Sequence, residues 1–320
     1  MLYILVMDKF IICVALITTS NSLISAEGSA RNYTGFNYSE LAKLANIQPF
    51  GSLLNTNFST THKSGYVAVC FFGQVKKFEQ VSASVKFHIF DVLSVNGYGY
   101  DVYAHTFNQS TFDNPRNSEY SVRIDPFSLQ NLLSIPEFAV RYNRVREADS
   151  WMDIDFIAKN GDPWPKHNLL TLRYYIRQLF SLKRVTMLWL PSRAKYDFVL
   201  YLRPDVLFLT DLDLPKIGPR LDDATLVTPS FACWENLWND RMAYGRPAVM
   251  ARYGLRGDHL AEYVTAGKQP HAETFLGDHM ISLNVTNVLS DTVFQRMRAD
   301  GRIDRRDFLL ANAKPRPGRC

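Results

Sequence analysis

Apolar residues along this chain fall into two patterns, and their order suggests the fold. Tyr66–Phe72 (YVAVCFF) and Phe198–Leu202 (FVLYL) are short runs without helical period, the mark of strands buried on both faces of a sheet. Tyr100–Thr106 and Leu226–Pro229 read as two further strands. Phe78, Val81, Val85, Ile89, Val92 and Leu93 advance mostly by three or four, which predicts a helix over 76–95. Leu169, Leu172, Tyr175, Ile176, Leu179 and Phe180 predict a second over 168–185, and others are expected near 246–253, 257–266 and 274–281. Strand, helix, strand is the unit of a parallel sheet with right-handed crossovers. Between 111 and 165 the pattern is less regular, because Pro115, Pro126, Pro136, Pro163 and Pro165 limit any long helix.

Composition adds a compartment and removes one function class. With 320 residues, 47% of them hydrophobic, the chain can bury a sizeable core. The net charge of +5 is modest, and the basic residues are dispersed apart from a cluster between Arg296 and Arg306, so nothing marks a nucleic-acid partner. Residues 1–26 differ in kind. Phe10–Thr19 is an apolar segment of signal-peptide length, short of the roughly 20 residues that span a bilayer. Ile24-Ser25-Ala26 offers a cleavage site, so this segment is either a cleaved signal or a short signal anchor, through which alone the chain would meet a membrane. Sequons begin at Asn32, Asn37, Asn57, Asn108 and Asn284, which fits the secretory pathway, in the Golgi or ER lumen or beyond it. Residues 27–64 read as a glycosylated stem and 65–320 as the folded domain. Outside the signal, Cys70, Cys233 and Cys320 have no CxxC or His/Cys spacing for zinc, and Cys70 is expected in the core.

The chemistry gathers where the apolar runs stop. Arg203-Pro204-Asp205 follows a buried strand, at the carboxyl end where ligands bind in open α/β sheets. Asp205 there can hold a divalent ion, Mn2+ or Mg2+, that stabilises a leaving diphosphate, and Arg203 can pair with the diphosphate directly. A strand-end Arg-Asp salt bridge is the plainer alternative. Gly73 and Gln74 close the first strand, where a missing side chain lets backbone approach a nucleotide. Asp101 contacts base or ribose, or caps the preceding loop. In CWENLWNDRM, Trp238, Asn239, Asp240 and Arg241 combine an aromatic face with fixed polar groups, which suits a sugar. Within HAETFLGDHM, Glu273 and Asp278 are candidate general bases for an acceptor hydroxyl, and His279 is a candidate to complete a metal shell with Asp205.

Four segments, VAVCFFGQ (67–74), DVYAHTFN (101–108), YLRPDVLF (201–208) and NDRMAYG (239–245), resemble the GT-A superfamily of nucleotide-sugar glycosyltransferases. The nearer likeness is to eukaryotic and viral members whose domain opens on a strand ending FGQ and later carries a strand ending R-x-D. The resemblance covers about residues 65–281. It implies an α/β fold, a single Rossmann-like domain with a mostly parallel central sheet flanked by helices. Residues 65–215 would bind the nucleotide sugar and 216–320 the acceptor, a glycan or glycoprotein. The implied activity is hexose transfer; a catalytically inactive carbohydrate-binding relative is the alternative. Arg203 stands where many relatives carry Asp, so metal dependence stays open, as does the choice between inversion and retention.

Overall fold

The computed structural model describes residues 64–231, 238–304 and 307, all within one compact unit, Ala42–Cys320. The expected signal or anchor, the stem up to residue 63, Cys233 and Cys320 lie outside the described residues. Among the described residues, no helix is long and apolar enough to cross a membrane.

Among the described residues eleven strands form, in chain order, β1 (Gly65–Phe72), β2 (Tyr98–Phe107), β3 (Thr111–Asn114), β4 (Glu119–Arg123), β5 (Val140–Asn143), β6 (Phe198–Leu202), β7 (Val206–Phe208), β8 (Thr225–Pro229), β9 (Met242–Gly245), β10 (Thr286–Ser290) and β11 (Phe294–Arg296). Seven of them make one sheet in the order β10-β8-β9-β6-β1-β2-β5. All its pairings are parallel except those of β9, which runs antiparallel to both β6 and β8. The expected mixed α/β architecture with a mostly parallel sheet is therefore present.

The helices that bear on the core and the site include α1 (Phe78–Val85), α2 (Leu170–Trp189), α3 (Pro247–Leu255) and α4 (Ala272–Ser282). The apolar run of β1 is buried from Val67 to Phe72 without a break, so both faces of the sheet centre are covered. Successive strand side chains point to opposite faces. Phe71 meets Phe78 of α1, while Phe72 meets Tyr201, whose hydroxyl is bonded to Thr186 and Trp189 of α2. Helices α1 and α2 thus cover opposite faces, and the predicted three- and four-residue stripes are their buried sides. Helix α3 approaches so closely that a Cβ on Gly254 would lie 2.1 Å from Thr186 Oγ1.

The structure departs from the sequence reading in identifiable places. The expected single helix over 76–95 begins at Phe78 and passes through a π-helical turn, Lys86–Phe90, before Asp91–Val95. The helix near 257–266 divides into a 3-10 turn, Arg256–His259, and Leu260–Thr265. The proline-rich stretch contributes the β3–β4 hairpin and the edge strand β5, which are too short to impose a period. Strand β9 hides inside the polar-looking NDRMAYG, and β10 and β11 follow the last predicted helix.

Candidate active site

The chain leaves β1 toward β2 on one side and reaches β6 on the other, so strand order reverses between β1 and β6. Such a reversal opens a crevice beyond the carboxyl ends of the two strands. A cleft of about 420 Å³ lies there, with Gly73 and Gln74 after β1 and Arg203 after β6 in its wall. Two antiparallel pairings bring distant sequence to it. Because Met242 of β9 pairs with Leu202 of β6, the residues entering β9, Asp240 and Arg241, stand beside Arg203, which leaves β6. Because Arg296 of β11 pairs with Val206 of β7, and Met297 N donates to Asp205 O at 2.7 Å, Arg296 and Arg298 reach the same wall. The first turn of α4 adds Glu273, and its N-cap His271 adds an imidazole.

Asp205 is the buried centre of the floor, 1% exposed. Arg203 grips it with two bonds, Nε to Oδ1 at 2.8 Å and Nη2 to Oδ2 at 2.7 Å, and Lys76 Nζ donates to Oδ2 at 2.9 Å. Burial pushes this carboxyl up, but the charges and hydrogen bonds of Arg203 and Lys76 outweigh it and hold the carboxyl far below the usual carboxylate range. The remaining Arg203 donor, Nη1, goes to Gln178 Oε1 at 3.0 Å, and Gln178 in turn donates to Asp240 Oδ2 at 2.8 Å. Asp240 is also held ionised: burial raises its pKa, while Arg241, Arg203 and Arg256 lower it further.

A divalent ion does not fit this floor. Both Asp205 oxygens already accept from fixed cations, and an incoming dication would meet Arg203 and Lys76 at contact distance. His279, the expected second ligand, stacks on His259 with ring centroids 4.9 Å apart and is not among the residues lining the cleft. Burial, with His259 and Arg256 nearby, lowers its pKa to about 4. Among the described residues no group of three or more His, Cys, Asp or Glu is arranged to hold a metal ion.

The other expected residues divide between the cleft and elsewhere. Gly73 lines the cleft, but a Cβ there would touch nothing within 4 Å; glycine is needed for its φ of +102°. Its N–H donates to Ser181 Oγ at 2.7 Å and so faces the protein. Gln74, Asp240, Arg241 and Glu273 also line the cleft. Asn239 is buried and holds the loop, donating to Phe231 O and accepting from Arg241 N. Trp238 is buried next to it, and Trp234 lies outside the described residues. Asp278 lines a separate open cavity of about 450 Å³, where it accepts from Tyr263 Oη and Lys268 Nζ. Asp101 is opposite Ala68, four residues before the end of β1, and its partners Lys195 and Tyr196 precede β6. That is the amino end of the sheet, away from the cleft.

Sequence reasoning missed several lining residues: Lys76, Gln178, Trp164, Arg116 and the pair Arg296 and Arg298. The basic cluster after Arg296 was the available signal for the last two. Trp164 sits at the cleft with its ring 5.6 Å from His271, and Arg116 lies over its face at 5.8 Å.

No protein-family model matches the sequence, and no curated protein matches it. Among solved structures, the chain is similar to mouse xyloside xylosyltransferase 1 in its apo form, with TM-score 0.35 and 10% identity over 70% of this chain and 84% of that one. It is also similar to the galactosyltransferase LgtC in complex with donor and acceptor sugar analogues, with TM-score 0.34 and 11% identity over 70% and 73% of the two chains. Both likenesses are loose, and what the cleft does is read from its own residues.

Proposed function

We propose that this chain is a glycosyltransferase that moves a sugar, a hexose, from a nucleotide-sugar donor to a glycan or glycoprotein acceptor in the secretory pathway. The observation that carries the reading is the cleft at the strand reversal, where seven lining residues are Lys or Arg and two are Asp or Glu. Asp149, Asp205, Asp304 and Asp307 balance much of this charge from behind the wall, and the cationic lining that they hold in place suits a diphosphate leaving group whose negative charge grows as its bond to the sugar breaks.

The rest of the wall supplies what an acceptor needs. Trp164 offers a ring face for the apolar side of a sugar. Glu273 projects from the start of α4, 3.5 Å from His271 Nε2 and 3.6 Å from Arg241 Nη2. Its carboxylate is our choice for the base. In an inverting transfer it takes the proton of the acceptor hydroxyl as that oxygen bonds to the anomeric carbon and the bond to phosphate breaks, releasing the nucleoside diphosphate. Asp278, in the adjacent cavity, contributes to acceptor binding in this scheme. The side chains of Asn108 and Asn284, two of the sequon asparagines, are exposed, which supports a glycosylated, exported chain.

Release of nucleoside diphosphate from a panel of nucleotide sugars, with simple glycosides as acceptors, tests the activity. Turnover with at least one donor is expected. Glu273→Gln should lower kcat by roughly 10²–10⁴-fold while donor affinity holds, the range for removal of a general base. Nucleotide binding without turnover on any donor would favour the inactive carbohydrate-binding reading.

A further inference from the structure

The cations of the cleft are not equivalent. Arg203 and Lys76 are engaged by Asp205, with the third Arg203 donor on Gln178. Arg177 forms a two-bond pair with Asp149. Arg296 forms another with Asp307, and Arg298 bonds Asp304. Arg241 differs from all of these. It is 8% exposed, and its Nε and Nη1 have no hydrogen-bond partner among the described residues. Its Nη2 lies 3.6 Å from Glu273 Oε1, beyond a good hydrogen bond.

A buried guanidinium with two unfilled donors is costly. Each of its two forks, Nε with Nη2 and Nη1 with Nη2, holds one of these unfilled donors, and either fork matches two oxygens of a phosphate. Burial and the neighbouring charge of Arg296 both depress its pKa, the effect of a cation set among cations, and an incoming anion would relieve both. Asp240 and Glu273 offset part of its charge, but neither fills its open donors, since Asp240 is held by Gln178 and Glu273 approaches only Nη2, at 3.6 Å.

We propose that Arg241 is the anion-binding residue of the cleft and receives the diphosphate of a nucleotide ligand without a divalent cation. This rests on the nucleotide-sugar reading of the same cleft. Arg203, Lys76 and Asp205 then form a hydrogen-bonded floor of two cations and one carboxylate that fixes the wall, and the charge a metal would supply comes from Arg241 together with the one cation left in excess there.

Calorimetric titration of the full chain with UDP, GDP and inorganic pyrophosphate, first in EDTA and then with Mn2+, separates the possibilities. Binding of at least one of them in EDTA is expected, with an affinity that Mn2+ leaves unchanged. Arg241→Gln should weaken it by about tenfold or more, and Arg241→Lys, which keeps the charge and loses the fork, should fall between. Binding that appears only with Mn2+ would overturn the metal-free clamp and leave the nucleotide reading standing. Binding in EDTA that a folded Arg241→Gln chain retains in full would overturn the assignment to Arg241. Absence of binding under both conditions would overturn the clamp and the nucleotide reading together. If Arg241→Gln fails to fold, the EDTA and Mn2+ arms on the unaltered chain still decide the metal question, and Arg241→Lys decides the residue.

Discussion

The two ends of the central sheet carry polar clusters of similar composition and opposite completeness. At the amino end, Asp101 accepts from Tyr66 Oη at 3.1 Å, Lys195 Nζ at 2.6 Å and Tyr196 Oη at 2.6 Å, and Tyr196 is bonded to Tyr103. That network closes on itself. At the carboxyl end the Asp205 floor closes in the same way, but beside it Arg241 and the hydroxyl of Tyr175 keep polar atoms with no partner among the described residues. Buried polar groups in folded proteins are nearly always satisfied, so an open set beside a cleft marks where a ligand completes the structure. Both ends have carboxylates and cations; only the leftover donors tell them apart.

Substitutions at the two ends should therefore show up in different measurements. Asp205→Ala has the largest expected effect. It leaves the buried Lys76 and the partly buried Arg203 beside each other without their counter-ion and should cost about 3 kcal/mol in urea unfolding. The same carboxyl carries a pH signature. Because its folded pKa is depressed, its stabilisation is present above the unfolded carboxylate range, near 3.9, and fades as pH falls below it. The stability gap between the natural chain and Asp205→Asn should accordingly shrink under acid titration below about pH 4; a gap independent of pH would break the account of the floor.

Arg241→Met sharpens the contrast from the other side. Removing a buried charge with two open donors should leave the melting temperature nearly unchanged, the relief of those donors offsetting the lost attraction to Asp240 and Glu273, while nucleoside diphosphate affinity falls. A large loss of stability would make Arg241 part of the closed floor. Asp101→Asn has the smallest effect, about 1 kcal/mol or less of stability for a partly exposed cluster, with ligand affinity intact. Weaker nucleotide binding in that variant would put the ligand at the wrong end of the sheet.

Much of the scaffold was legible in the sequence because burial on both faces of β1 and β6 requires unbroken apolar runs, and α2 must repeat every three or four residues to cover them. The cleft was legible only in part. Asp101 and Asp205 look alike as carboxylates in apolar surroundings, and which end of the sheet each occupies depends on register with β1, which no local pattern carries. Arg241 stood out within NDRM, yet its place beside Arg203 follows from the antiparallel entry of β9, a four-residue strand with too few positions to show alternation. The basic cluster near Arg296 was visible as charge, but the β7–β11 pairing alone aims it at the cleft.

The most direct measurement is a crystal structure of the chain with a nucleoside diphosphate bound in the presence of EDTA. The account predicts diphosphate oxygens within hydrogen-bond distance of one fork of Arg241, Nε with Nη2 or Nη1 with Nη2, between the ends of β1 and β6, with the Arg203–Asp205–Lys76 contacts intact. A nucleotide seated beside Asp101, or bound only when Mn2+ displaces Arg203 from Asp205, would contradict it.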